Sequence, residues 1–535
     1  MDLTRRNFLK GAGMAAGAAA VAGLAGCAPE AQPTTSDVEA PTELSSTSDV
    51  RWSWDAAPEL PADDQISETY DCDICVVGLG AAGPGALYYA MKNGKKVVAL
   101  QKLETMHNGG GGCGVFNTSD PEKYGLPEGY DFQTIMQGLV DATCGKTNHA
   151  LIRRMVFKSG PAVEWLRDNI PGANLDYVLL SGDHFGTAWA IDGWESTKDG
   201  IGIVGDWICN WAQENGGTIL YETPATQLIK DESGAVTGVI GQTADGSYVR
   251  VNTADGVILC TGDICDNEEM LERWFPEAIG LPHFNARDGL DGDAVKMGTW
   301  VGAAIEPVAA NCQLHLDVAG NAQFKGVPWL TVNNKGERFM NEGQWFEFVT
   351  NSILHQPNHE CYQIIDSHLL EGIPAYNRAF MPPDNMEAVE GMVAEGTGFK
   401  ADSIEELAQQ IGIDPSQLKA VVDRFNGFVD QGADEDYFLD PEYLKYAGIK
   451  EGPFYAFHYT NGINCVDAGL LVDDQMRVLD EDGQVIPGLW AAGNASGGMF
   501  GPDYPARYLG FSVGRSVTGG MVAVQSILGT VDEDF

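Results

Sequence analysis

Apolar residues are unevenly spread along the chain, and their pattern divides it before any motif is considered. A run of Gly, Ala, Met, Val and Leu fills 11–26 behind a basic head of Arg5, Arg6 and Lys10. It is too short to stand comfortably as a mature membrane-spanning helix. Residues 28–68 are rich in Pro, Ser, Thr, Ala, Asp and Glu with little apolar periodicity, the composition of a flexible tether. From Asp71 the pattern becomes that of a folded domain. The segment 71–77, ending Ile74-Cys75-Val76-Val77, predicts a strand buried on both faces. A helical period follows over 81–93, and 96–100 predicts a second strand. Further strands are predicted at 217–229, 235–242 and around Val257-Ile258-Leu259, and helices at 404–411 and 415–427. No later segment approaches eighteen uninterrupted apolar residues, so no second span is predicted.

Composition narrows the class. Hydrophobic residues make up 44% and charged residues 20% of 535, the balance of a globular protein with a sizeable core. The net charge of −44 repels phosphate backbones, which argues against nucleic acid as a partner and suits a basic redox protein. Eleven cysteines are scattered without a disulfide framework. Cys72 and Cys75 form a C-x-x-C, but residues three apart on a strand face opposite sides, which argues against a redox or metal role. No C-x-x-C-H occurs, so no c-type haem is expected on this chain.

The first segment is an address. Arg5-Arg6 before Asn7-Phe8-Leu9-Lys10 resembles a twin-arginine export signal, and Leu24-Ala25-Gly26-Cys27 resembles a bacterial lipobox. Those resemblances imply that 1–26 is removed, that Cys27 is lipidated, and that the remainder is anchored to the outer face of the cell membrane. The tether would then run from 27 to 68.

Gly78-Leu79-Gly80-Ala81-Ala82-Gly83 lies between the first strand and the first helix, a strand–glycine turn–helix–strand unit of about thirty residues that binds dinucleotides. Gly78 permits the tight turn, Gly80 lets backbone approach a pyrophosphate, and Gly83 allows close packing, with Ala82 at the helix entrance. The helix N-terminus offers free N–H groups to the phosphates. The acidic residue that usually ends the second strand and holds the ribose is replaced by Gln101, followed by Lys102. The glycine loop with Gly109, Gly110 and Gly111 suits wrapping around an elongated cofactor, which favours FAD over NAD.

With Cys260-Thr261-Gly262, Asp291-Gly292-Asp293-Ala294, Val332-Asn333-Asn334-Lys335-Gly336-Glu337-Arg338-Phe339 and Gly488-Leu489-Trp490-Ala491-Ala492-Gly493 added, the chain resembles the fumarate reductase and succinate dehydrogenase flavoprotein superfamily over about residues 70–530. More narrowly, it resembles soluble bacterial flavoproteins that reduce fumarate, urocanate and related acids. The resemblance implies an α/β fold: a Rossmann-like FAD-binding domain in two segments, 69–296 and 454–535, with an inserted α+β capping domain at 297–453. It also implies FAD contacts from Ala225, Thr261, Gly262, Asp293, Gly493, Asn494, Phe511, Ser512 and Val513, in addition to the glycine turn, Gln101 and Lys102.

The reduction needs hydride from the flavin, a proton donor and a group that polarises the acceptor. The position of the family's proton-donating arginine, eight beyond Arg338, holds Phe346. The family's histidine is missing from 464–469. What remains is His315 in Gln313-Leu314-His315, Tyr504 and Arg507, to which catalytic or substrate-binding roles are assigned. Arg338 is expected to be structural or cap-lining. Lys325 is a weaker alternative for the proton relay, and His107 for covalent flavin attachment. These features describe an extracytoplasmic FAD-dependent reductase of a conjugated C=C bond in a small acid, serving anaerobic respiration with electrons from a membrane-associated cytochrome or other donor. Two alternatives stay open. Asn494, Met499, Gly501 and Tyr504-Pro505 resemble the C-terminal stretch of 3-ketosteroid dehydrogenases, where a tyrosine polarises the ketone, and a non-catalytic flavin electron-transfer lipoprotein would also fit the missing family residues.

Overall fold

The structure, a computed structural model, describes residues 52–107, 113–119, 131–171, 175–179, 187–191, 200–283, 289–306, 312–315, 327–344, 346–376, 385–501, 504, 505, 508 and 510–535. Its frame is an eight-stranded sheet. In spatial order it runs Arg477–Leu479, Val485–Ala491, Tyr248–Leu259, Ile66–Val77, Val97–Leu100 and Thr218–Leu220, with the hairpin Ala225–Lys230 and Val236–Gln242 joined through Tyr248–Leu259. The four central strands are parallel. Their last residues are fully buried, as strands covered on both faces require.

The first strand begins at Ile66, five residues before the apolar pattern does, because its polar half pairs with Tyr248–Asn252. The strand predicted over 217–229 is broken in two. Glu222 adopts φ +48° and Pro224 follows, so the chain turns between Thr218–Leu220 and Ala225–Lys230. The first helix, Gly83–Lys92, packs against the last, Phe511–Leu528, at glycine contacts: a Cβ on Gly520 would lie 2.3 Å from the Ala82 carbonyl oxygen.

A second sheet is antiparallel, in the order Leu330–Asn333, Glu360–Ile365, Phe454–Thr460, Gly398–Ala401. Alternation along its strands fills two cores. Ile364 and Ala456 meet Leu407, Leu418, Val422 and Phe425 of the helices Ile404–Gln410 and Pro415–Gln431. Ile365, Tyr455 and Phe457 meet Ile353, Leu369 and Val389 on the other face. The helices start where Ser403 and Asp414 cap them, and Gly432 ends the longer one at φ +71°. Phe454–Thr460 lies beyond the boundary expected at 453, and pairing with Glu360–Ile365 holds it in this sheet. Among the described residues no helix is long and apolar enough to cross a membrane.

Candidate cofactor and active site

The register of the parallel strands lines up their carboxyl ends. Val77 is level with Leu100 and Leu259, and Leu259 with Ala491. The residues that follow, Gly78, Gln101, Cys260 and Ala492, therefore emerge in one row, where open α/β sheets bind ligands. Gly78 has φ +92°, and a Cβ there would lie 2.5 Å from the Cys260 carbonyl oxygen. A Cβ on Gly83 would lie 2.0 Å from the Gly78 oxygen. Gly80 differs: its nearest neighbour would be the His107 oxygen at 3.5 Å, so protein packing does not demand glycine there. The helix Gly83–Lys92 has no side-chain cap and no acidic residue in its first turn. Its leading N–H groups are left for an anion, and a bare backbone face at Gly80 is what close approach of a pyrophosphate requires.

Gln101 is 5% exposed and turned inward. Its Oε1 accepts from the Leu79 N–H at 3.1 Å and its Nε2 donates to the Thr105 oxygen at 2.7 Å. The amide thus braces the glycine turn instead of standing free at the strand end. Lys102 is held by Asp291 and by Asp293 at 3.1 Å, beside the N-terminus of Asp293–Trp300. Thr261 Oγ1 accepts from Ala294 N–H at 3.0 Å, and Gly262 turns at φ +80°. Ala225 follows the turn in which Thr223 N–H donates to the Gln101 oxygen at 2.9 Å. These sequence-derived positions therefore converge on one side of the strand row.

On the other side stands the N-terminus of Phe511–Leu528, capped by Gly510 at φ +71° and again without an acidic first turn. Gly114 reaches it, its N–H donating to the Gly510 oxygen at 2.7 Å. Phe511 is buried against Phe116 and Phe500. Gly493, at φ +67°, brings Asn494 between two strand ends. Asn494 donates to Asp263 at 3.1 Å and accepts from Arg515 at 2.9 Å. Arg515 also bonds Asp467 at 3.0 Å and lies 4.6 Å above the Phe500 ring. Ser512 joins the set through its hydroxyl, 3.3 Å from Asp467, and its N–H, 2.9 Å from the Tyr504 hydroxyl. Burial pushes the Tyr504 phenol up, so it carries its proton at neutral pH. Burial pushes the Asp467 carboxyl up as well, against the pull of Arg515.

Asp263, Asp467 and Arg515 were not singled out from sequence. Asp467 lies in 464–469, noted for lacking a histidine, and Arg515 lies two residues beyond Val513, the last of the flavin contacts that the resemblance implies. Only the fold reveals that they pair. His315 is placed by its backbone in the strand Cys312–His315, level with Gly462. Gly109, Gly110, Gly111, Lys325, Arg507 and Cys27 lie outside the described residues. Arg338 is locked in the second sheet's lobe between Glu342 and Asp434, each at 2.7 Å from Nη2. Cys72 and Cys75 are buried, and burial pushes the Cys72 thiol up to about 11 and the Cys75 thiol up as well, leaving neither reactive.

A parallel sheet with a glycine turn at its first strand end, and the glycine-led N-terminus of the last helix beside it, defines a dinucleotide-binding flavoprotein. Residues 73–506 match the FAD binding domain family, and residues 2–22 match the signal sequence of the twin-arginine translocation pathway. The chain belongs to the FAD binding domain family; it binds FAD, is an FAD-dependent oxidoreductase and carries an export signal. It is similar to a vinyl phenol reductase of Lactiplantibacillus plantarum, 28% identical over 498 residues that cover 85% of this chain and 96% of the relative. It is similar to a urocanate reductase of Eggerthella lenta, 27% identical over 469 residues, 84% of this chain and 73% of the relative. The open conformation of a flavocytochrome c3 fumarate reductase shares the fold, with a TM-score of 0.67 and 23% identity over 90% of this chain and 83% of that one.

Proposed function

We propose that this protein is an extracytoplasmic reductase that transfers hydride to a conjugated C=C bond of a small organic acid or a related metabolite. Lipid on Cys27 holds it at the outer face of the cell membrane. A membrane-associated cytochrome or other donor supplies electrons, and the enzyme serves as a terminal reductase in anaerobic respiration. Bound FAD supplies the hydride, so the chain itself must supply a proton and hold the acceptor. The observation that carries this reading is the Tyr504 hydroxyl, buried and accepting the Ser512 N–H at 2.9 Å at a helix N-terminus. An oxygen that accepts such an N–H at a helix N-terminus holds negative charge more easily once its proton has been given up, as a proton donor requires. Arg507, three residues further along the sequence, is assigned the acceptor's carboxylate, and His315 is assigned a second polar contact to the acceptor. The vinyl phenol and urocanate reductases among its relatives are named for unsaturated acceptors, which supports this reaction class.

Anoxic oxidation of reduced viologen dye tests the reading against a panel of α,β-unsaturated acids, vinyl phenols and 3-ketosteroids. Acceleration by one of the first two classes is expected. Response to ketosteroids alone would move the assignment to a ketosteroid dehydrogenase, and no response to any acceptor would leave an electron-transfer lipoprotein.

A further inference from the structure

A group of ligating side chains lies just beyond the row of strand ends. The Cys265 sulfur, a carboxylate oxygen of Asp266 and a ring nitrogen of His283 all stand within 4.8 Å of one another. Cys265 and Asp266 belong to the loop that leaves the strand Tyr248–Leu259 past Thr261 and Gly262. His283 is brought to them by its backbone: it bridges Ile463, whose N–H donates to the Pro282 oxygen at 2.8 Å. The two loop residues are held as well. The Cys265 N–H donates to Asp263 Oδ1 at 2.9 Å, and Asp266 Oδ2 accepts the Leu290 N–H at 2.8 Å. The other Asp266 oxygen, Oδ1, lies 3.1 Å from His283 Nδ1.

Distance and donor chemistry select the occupant. Zinc bonds of about 2.0–2.2 Å to nitrogen and oxygen set neighbouring tetrahedral ligands roughly 3.3 Å apart, close to the separation of Asp266 and His283. With a zinc–sulfur bond of about 2.3 Å, the sulfur needs to lie roughly 3.6 Å from each, a closure of roughly 1.2 Å at most. A thiolate, an imidazole and one carboxylate suit zinc better than calcium or magnesium, which take oxygen ligands. The surrounding charge also favours a cation, since Cys265 faces the carboxyl groups of both Asp263 and Asp266, and the Cys465 thiol. Asp263 stays outside the coordination shell, its second oxygen accepting from Asn494 at 3.1 Å. On binding, the Cys265 S–H bond breaks, the proton goes to solvent, and the sulfur keeps the electron pair that it donates to the metal. Two positive charges enter and one leaves, so the pocket becomes less negative.

We propose that Cys265, Asp266 and His283 form a zinc site with three protein ligands and a water in the fourth position. The ion clamps the loop that carries Thr261 and Gly262 to His283 and, through the Ile463 bridge, to the strand Gly462–Val466 that pairs with Cys312–His315. It braces segments on both sides of the candidate site and takes no part in hydride transfer. The assignment does not depend on the reaction proposed above.

Zinc alone, added to the full chain loaded with FAD and followed by desalting, tests the site. Atomic emission should find one zinc ion per chain. Cys265→Ser, Asp266→Asn and His283→Ala should each retain the flavin and weaken zinc binding, the first and last by roughly a hundredfold or more. Cobalt in place of zinc should give intense d–d bands beyond the flavin absorption, the mark of a tetrahedral site, and these should be lost in Cys265→Ser. Zinc should raise the melting temperature of the native protein and leave that of His283→Ala unmoved. Native protein that retains no zinc overturns the site and leaves an ordinary Asp266–His283 hydrogen bond. Zinc retained equally by all three variants overturns it too, because the ion then sits elsewhere. If Cys265→Ser does not fold, His283→Ala still decides, since that side chain is 31% exposed and its loss opens no core.

Discussion

The Ser512 N–H donates to the Tyr504 hydroxyl at 2.9 Å, tying a buried phenol to the first turn of the final helix. Removing that oxygen leaves a helix N–H without its acceptor, at a cost of about 1–3 kcal/mol. We expect Tyr504→Phe to retain FAD, to melt slightly earlier, and to lose roughly a hundredfold in turnover. Arg507→Ala should raise KM for carboxylate acceptors more than for neutral ones. Native turnover in both variants would remove this pair from the site.

Two of the motif glycines, Gly80 and Gly83, should respond differently. Gly83→Ala places a methyl 2.0 Å from the Gly78 oxygen and should prevent the first helix from packing. Gly80→Ala meets only the His107 oxygen at 3.5 Å, so the apoprotein should fold and melt as the native one does. Its flavin should nevertheless be released more readily, because the methyl occupies the face that the pyrophosphate approaches. Apoprotein melting and flavin retention on a desalting column distinguish the two.

Gln101→Glu would supply the acidic residue that dinucleotide sites usually carry, yet it should weaken the site. The amide nitrogen donates to the Thr105 oxygen at 2.7 Å, and a carboxylate would set oxygen against oxygen there. Flavin affinity, read by fluorescence quenching, should fall. Tighter binding would mean that residue 101 reaches the ribose after all.

Arg515 and Asp467 should be inseparable. Arg515→Met strands a buried carboxylate, a loss of about 3–5 kcal/mol. Asp467→Asn added to it should return much of that stability, because the stranded charge is gone. Chemical denaturation of the two variants reads the difference; an additive loss would argue against direct pairing.

In the second sheet's lobe, burial works against ionisation of Asp434, but the Arg338 fork overcomes it and holds the carboxyl down to about 2. A depressed acid contributes stability that is present above its unfolded pKa near 4 and lost as pH falls through the folded one. About 2 kcal/mol should therefore disappear between pH 4 and 2. Asp434→Asn should show no such loss in that window.

The sequence by itself determined the export signal, the strand–glycine turn–helix unit, the cofactor class and two helices of the second lobe, Ile404–Gln410 and Pro415–Gln431. These rest on signals local in the chain: a charge pair before an apolar run, glycines at fixed spacing, caps such as Asp414 and Gly432. Tertiary structure alone decided that Gln101 faces inward, that 217–229 breaks at Glu222, and that Asp467 and Arg515 lie together. Nothing local marks those two residues, which stand 48 positions apart and are joined only because the strand ends and the last helix converge. A buried charge is defined by what surrounds it, and here the surroundings come from distant parts of the chain.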